Sequence, residues 1–94
     1  MKTRTSNPKF ESGQLCCSRG VYVTLPDREI REALCRHFDG DWGDVGVEDW
    51  MSNDDAVLNG SRLLSSYRSV AGIKFWIITE ADRSVTTVLF PEEY

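Results

Sequence analysis

The sequence predicts a single α+β domain: an N-terminal strand or hairpin, two helices, and a three-stranded antiparallel β-meander packed against the helices. Three observations carry this. A length of 94 residues suits one domain and leaves no room for a second core. Apolar residues recur at helical spacing from Leu25 to Phe38 and from Val47 to Asn59, and after Arg62 the period changes to two. Helices followed by a run of strands, instead of alternating with them, form one layer of helices on one sheet.

Residues 1–8 are read as a flexible tail and 9–94 as the domain. Lys2 and Arg4 are followed by no apolar block, so the start lacks the hydrophobic region of a secretory signal. Leu15-Cys16-Cys17 and Val21-Tyr22-Val23 are two short apolar runs split by the turn-forming Ser18-Arg19-Gly20, which predicts one strand or a hairpin. Thr24 with Asp27 three residues on, and Pro26 between them, resembles a capping box and starts the first helix near Leu25. Ile30, Ala33, Leu34 and Phe38 form its inner stripe, and Arg28, Glu32 and Arg36 form i,i+4 pairs outside.

Asp39-Gly40 and Trp42-Gly43 end that helix in a turn. The second helix, Val47 to Asn59, carries the stripe Val47, Trp50, Met51, Val57 and Leu58 and is closed by Gly60 as a C-terminal cap. Asp54 falls inside the stripe, where a carboxylate needs a donor or an open face. The strands are Arg62 to Arg68, Ile73 to Glu80 and Val85 to Phe90, separated by turns over 69–72 and 81–84. With the turns so centred, Leu64, Ile73, Phe75, Ile77, Val88 and Phe90 share one face, and Leu63, Tyr67, Trp76, Ile78, Val85 and Leu89 the other. Two helices cover one face only. A homodimer through the second face or the sheet's free edge is the expected remedy, the rival being a monomer whose Leu15 to Val23 segment folds over that face.

The longest stretch without a charge, Ser84 to Pro91, is far below the roughly 20 residues that span a bilayer, so no membrane role is expected. Three cysteines, two of them adjacent, suit a reduced, cytoplasmic protein better than a disulfide framework. A net charge of -4 without a Lys/Arg cluster argues against direct nucleic-acid binding. Between Phe38 and Asn59 lie seven acidic residues, Asp39, Asp41, Asp44, Glu48, Asp49, Asp54 and Asp55, and no Lys or Arg. Such a surface attracts cationic patches of a protein partner.

Two constellations could carry chemistry. His37, Asp39, Asp41 and Asp44 offer an imidazole and three carboxylates to a divalent cation, although Trp50 stands where an EF-hand loop needs its bidentate Glu. Glu80, Asp82, Arg83, Thr86 and Thr87 surround a hairpin tip and could bind an anion or assist acid/base chemistry. The structural alternatives are a helix-ending turn for the first set, and Asp82 as turn former with Arg83 paired to Glu80 for the second. Cys35 and His37 are two apart on a helix and point to different sides. No cofactor is expected, and whether the chain is an enzyme stays open between these sites and a binding role.

The run His37-Phe38-Asp39-Gly40-Asp41-Trp42-Gly43-Asp44, then Arg62-Leu63-Leu64-Ser65-Ser66-Tyr67, then Trp76-Ile77-Ile78-Thr79-Glu80-Ala81-Asp82-Arg83-Ser84, and the end Pro91-Glu92-Glu93-Tyr94 resemble a family of short bacterial proteins. These carry the label "hypothetical plasmid-related protein" or "type I restriction endonuclease subunit M". The resemblance covers His37 to Tyr94, with Trp50 departing from it. It implies a setting in plasmids, phages and other mobile elements and brings no catalytic residue. A methylase needs a far larger fold with a cofactor-binding sheet, so the second label is set aside. The expectation is a small acidic binding protein acting by protein–protein contact, for example an inhibitor of a nucleic-acid-binding defence complex. Its candidate contact residues are Asp39, Asp41, Asp44, Glu48, Asp49, Asp55, Trp76, Ile78, Glu80, Asp82 and Arg83.

Overall fold

A computed structural model describes residues 8–94; apart from Pro8, the tail expected over 1–8 lies outside the described residues. The elements are β1 (Gln14–Cys17), α1 (Arg19–Thr24), α2 (Asp27–Phe38), α3 (Val47–Asn59), β2 (Leu63–Arg68), β3 (Lys74–Thr79), β4 (Val85–Leu89) and a 3₁₀ turn, η1 (Pro91–Glu93). The α+β class and the meander are as expected. The N-terminal strand joins the meander as a fourth strand, parallel to β4, in the order β1-β4-β3-β2.

The segment read as the second arm of a hairpin is α1, a short helix. Ser18 Oγ accepts the Val21 N–H at 3.1 Å, the N-cap bond that satisfies an otherwise orphaned amide. The same hydroxyl donates to Glu93 Oε1 at 2.7 Å, and that carboxylate accepts the Phe90 N–H at 2.7 Å. A contact from the far end of the chain therefore holds a β-branched segment helical. Only Val21 of α1 is buried, while Tyr22 and Val23 face outward. Pro26 then separates α1 from α2, which starts at Asp27 with Pro26 as its N-cap residue.

The two hairpins test the register directly. Around the second turn, Thr79 pairs with Thr86 and Ile77 with Val88, as the expected turn over 81–84 requires. Around the first, Arg68 pairs with Lys74 and Tyr67 with Phe75, so residues 69–73 form the loop instead of 69–72. Ser69 N–H to Ile73 O and Gly72 N–H to Ser69 O, both 2.9 Å, close it. One extra loop residue turns β2 over. Leu63, Ser65 and Tyr67 thus share the covered face with Phe75, Ile77, Thr79, Thr86 and Val88, and Leu64 and Ser66 take the second face with Trp76, Ile78 and Leu89. The second face loses Leu63 and Tyr67, the residues that made it strongly apolar. Tyr94 packs edge-on against Trp76 at 5.9 Å between centroids, with the Arg62 guanidinium 4.9 Å from the Tyr94 ring.

The core has two parts. Val21 of α1, Leu25 just after it, and Ile30 and Ala33 of α2 pack on Tyr67, Phe75, Ile77 and Val88. Phe10, Trp42, Ala56 and Leu63 form the second cluster, with Phe38, Trp50 and Val57 against it. The outer edge of β2 is closed. Ser66 N–H donates to Trp42 O at 3.1 Å and Asp44 N–H to Ser66 O at 2.6 Å, while the Asn53 side chain donates to Leu64 O at 2.8 Å and accepts Leu64 N–H at 3.3 Å. Covering an edge removes its template for pairing with another chain, so the edge that remains at the border of the sheet is that of β1.

Candidate functional site

Each sequence-derived constellation resolves into a definite arrangement. His37 lies on the inner side of α2, one turn beyond Ala33, and is wholly buried. Its Nδ1 is 2.6 Å from Ser65 Oγ and its Nε2 2.9 Å from Thr79 Oγ1. Thr79 Oγ1 lies 2.7 Å from Thr86 Oγ1, and Thr86 Oγ1 donates to the Ser12 carbonyl at 2.8 Å.

The carbonyl fixes every proton in this chain. A carbonyl only accepts, so Thr86 spends its one hydrogen on Ser12 O and must accept from Thr79. Thr79 then has no hydrogen left for His37, so Nε2 carries the ring proton. Nδ1 is left as an acceptor and Ser65 donates to it. Four side chains and one carbonyl are satisfied with a single tautomer.

A serine donating to a histidine resembles a nucleophile with its base, but this pair is not built for that role. Ser65 is fully buried, and no substrate reaches its Oγ. Burial, with the Arg83 charge adding to it, pushes the His37 imidazole down to about 3, far below the range in which a general base works near neutral pH. Both His37 ring nitrogens are taken up by the strands, and the candidate cation set is not assembled among the described residues; the alternative weighed against it, a helix-ending turn, is what Asp39 to Asp44 form. Asp41 instead forms a bidentate pair with Arg36, Nε to Oδ2 at 2.8 Å, and accepts the Gly43 N–H at 3.2 Å. Arg36 accordingly reaches forward to Asp41, not back to Glu32. Asp44 sits 3.6 Å from Arg68. Among the described residues no group of three or more His, Cys, Asp or Glu side chains could hold a metal ion. Calcium, magnesium or zinc is accordingly expected to leave the melting temperature unchanged in a thermal denaturation series, because a ligand of the folded state raises it by mass action; a rise of several degrees that vanishes in Asp41→Asn/Asp44→Asn would contradict this.

At the hairpin tip, Arg83 adopts φ 60°, and its guanidinium donates to the carbonyls of Ser61 (2.7 Å), Glu80 (3.2 Å) and Ala56 (2.9 Å). The expected pairing with Glu80 is to its backbone and not to its carboxylate. Ala56 lies in the last turn of α3, so a cation caps the negative end of that helix and ties the hairpin to it. With these carbonyls and the Phe10 ring (5.6 Å) around it, the guanidinium serves structure instead of an anion site. Asp82 Oδ1 accepts the Ser84 N–H at 3.0 Å, the turn-forming role expected of it, and the Ser84 hydroxyl, together with this N–H, holds its carboxyl below the usual value. Trp76 is half-buried and Ile78 buried on the second sheet face, and Glu80 is exposed.

On α3 the inward residues are Trp50, Asn53, Ala56 and Val57, so Val47, Met51 and Leu58 leave the stripe predicted for the core and face outward. Asp54 has the donor its position required, the Trp42 indole N–H at 3.0 Å. Glu48, Asp49 and Asp55 are exposed. The sequence reading missed Ser65, Thr79 and Asn53 and placed Thr86 at the hairpin tip instead of in this relay; the signal for Ser65, Thr79 and Thr86 was their place on the inner-face parity of β2, β3 and β4, hidden for Ser65 by the one-residue difference in the loop. No helix among the described residues is long and apolar enough to cross a membrane.

No family model, no curated protein and no solved structure matches this chain.

Proposed function

We propose that this protein is a small binding protein that acts by contact with a cationic surface of another protein, without chemistry of its own. One observation carries the reading: α3 turns Glu48, Asp49, Asp54 and Asp55 to solvent within a stretch that holds no Lys or Arg from Phe38 to Asn59. Asp41 and Asp44 of the same stretch are matched by Arg36 and Arg68, so the unmatched charge concentrates on the helix. Taken with the mobile-element setting that the resemblance implies, the concrete version is an inhibitor occupying the surface by which a host defence complex grips nucleic acid. Such surfaces are rich in Lys and Arg.

The test exchanges Glu48→Gln, Asp49→Asn and Asp55→Asn together. Folding is retained at a cost of roughly 0.3–1 kcal/mol each for Glu48 and Asp49, which favour the N-terminal end of the helix dipole. Proteins retained by the parent at about 0.1 M salt and released at about 1 M are expected to be lost by the triple variant. A partner held equally at both salt concentrations would remove electrostatics from the account.

A further inference from the structure

We propose that the outward stripe Val47, Met51 and Leu58 of α3 is a docking face for a cationic amphipathic helix of a partner protein. This rests on the reading above and adds the form of the partner. The three side chains are 76%, 61% and 88% exposed. At 100° per residue, positions 47, 51, 54 and 58 lie along one line of the helix, and the stripe from Val47 to Leu58 is about 16 Å long. Val47, Met51 and Leu58 stand at i, i+4 and i+11 of that line with Asp54 at i+7, a face along which one helix can pack on another.

Asp54 lies within the line, its carboxylate drawn towards the Trp42 indole, and Glu48 and Asp55 border it, both exposed. This charge selects the occupant. A second copy docking by a two-fold contact would bring two equally acidic stripes together, and like charges so confronted oppose association. An anionic lipid surface is repelled for the same reason. A helix with apolar residues on one side and Lys or Arg on its flanks meets both features of the stripe.

The probe is a peptide of Leu and Lys alone, about four helical turns long, with Leu at i, i+3, i+4 and i+7 spacing. A control has the same composition scrambled to destroy the apolar face. By titration calorimetry the parent is expected to bind the patterned peptide at least ~10-fold more tightly than the scrambled one, and Met51→Ser/Leu58→Ser to lose that advantage while keeping its circular dichroism. Amide shifts on binding are expected along α3. Three outcomes overturn the proposal: no preference for the patterned peptide; equal affinity in the double variant with loss only in Glu48→Gln/Asp49→Asn/Asp55→Asn, which leaves the electrostatic reading standing; or a concentration-dependent dimer in sedimentation that Met51→Ser/Leu58→Ser abolishes, which makes a second copy the occupant.

Discussion

Replacing His37 by alanine is expected to remove most of the stability of this protein. The ring is wholly buried, and truncating a buried ring costs about 3–5 kcal/mol. It also strips Ser65 of its acceptor, an orphaned buried hydroxyl adding about 1–3 kcal/mol, while Thr79 keeps its bond to Thr86. Against the usual 5–15 kcal/mol of a small domain, the sum leaves little. Urea denaturation followed by circular dichroism measures it; a loss under about 2 kcal/mol would mean that the relay is not structural.

The same residue sets the acid sensitivity. The His37 imidazole is lowered from 6.5 to about 3 in the folded state, so below pH 6.5 the unfolded chain takes up a proton that the folded one refuses. Its contribution to stability is complete above pH 6.5 and is lost as pH falls towards about 3, with a slope approaching about 1.4 kcal/mol per pH unit in between. Asp82, whose carboxyl is also lowered, loses its contribution only below its unfolded value of 3.8. The window from about pH 4.5 to 6.5 therefore lies within the range of His37 and above that of Asp82. Urea midpoints are expected to fall steadily across it, and a flat profile would show that the ring accepts its proton in the folded state.

Gly43→Ala is expected to cost clearly more than Gly60→Ala, its internal control. Both glycines have positive φ, 77° and 79°, a conformation that costs an L-residue about 1–2 kcal/mol. At Gly60 a Cβ would meet nothing within 4 Å, whereas at Gly43 it would lie 2.1 Å from Ser66 O and 2.6 Å from Tyr67 Cδ1. The first is backbone, held in the bridge that closes the β2 edge, and cannot yield without breaking it. Overpacking adds about 1–3 kcal/mol, and an opened edge invites pairing with other chains. Chemical denaturation of the two variants separates the terms: equal losses would show that the contact with Ser66 relaxes without cost.

The acidic reach from Phe38 to Asn59, the two longer helices, the Gly60 cap and the meander are properties of the sequence by itself. Each depends on neighbours within a few residues, through helical or alternating spacing and through the local chemistry of caps and turns. Asp82 was legible for the same reason, since its acceptor role reaches only to Ser84.

What the tertiary structure decided depends on contacts between residues far apart in the chain. Arg19–Thr24 is a helix whose N-cap, Ser18, is held by Glu93. The five-residue loop over 69–73 reversed the faces of β2, and a single step of register is invisible to a pattern of period two when both faces are partly apolar. His37 looked like a ligand beside three aspartates, but its inward position on α2 placed it between Ser65 and Thr79, residues 28 and 42 positions away. Asn53 closes the sheet edge, leaving Val47, Met51 and Leu58 to solvent on the other side of the same helix. Helical periodicity shows that α3 has apolar residues; which of its sides meets the core is settled by the rest of the fold.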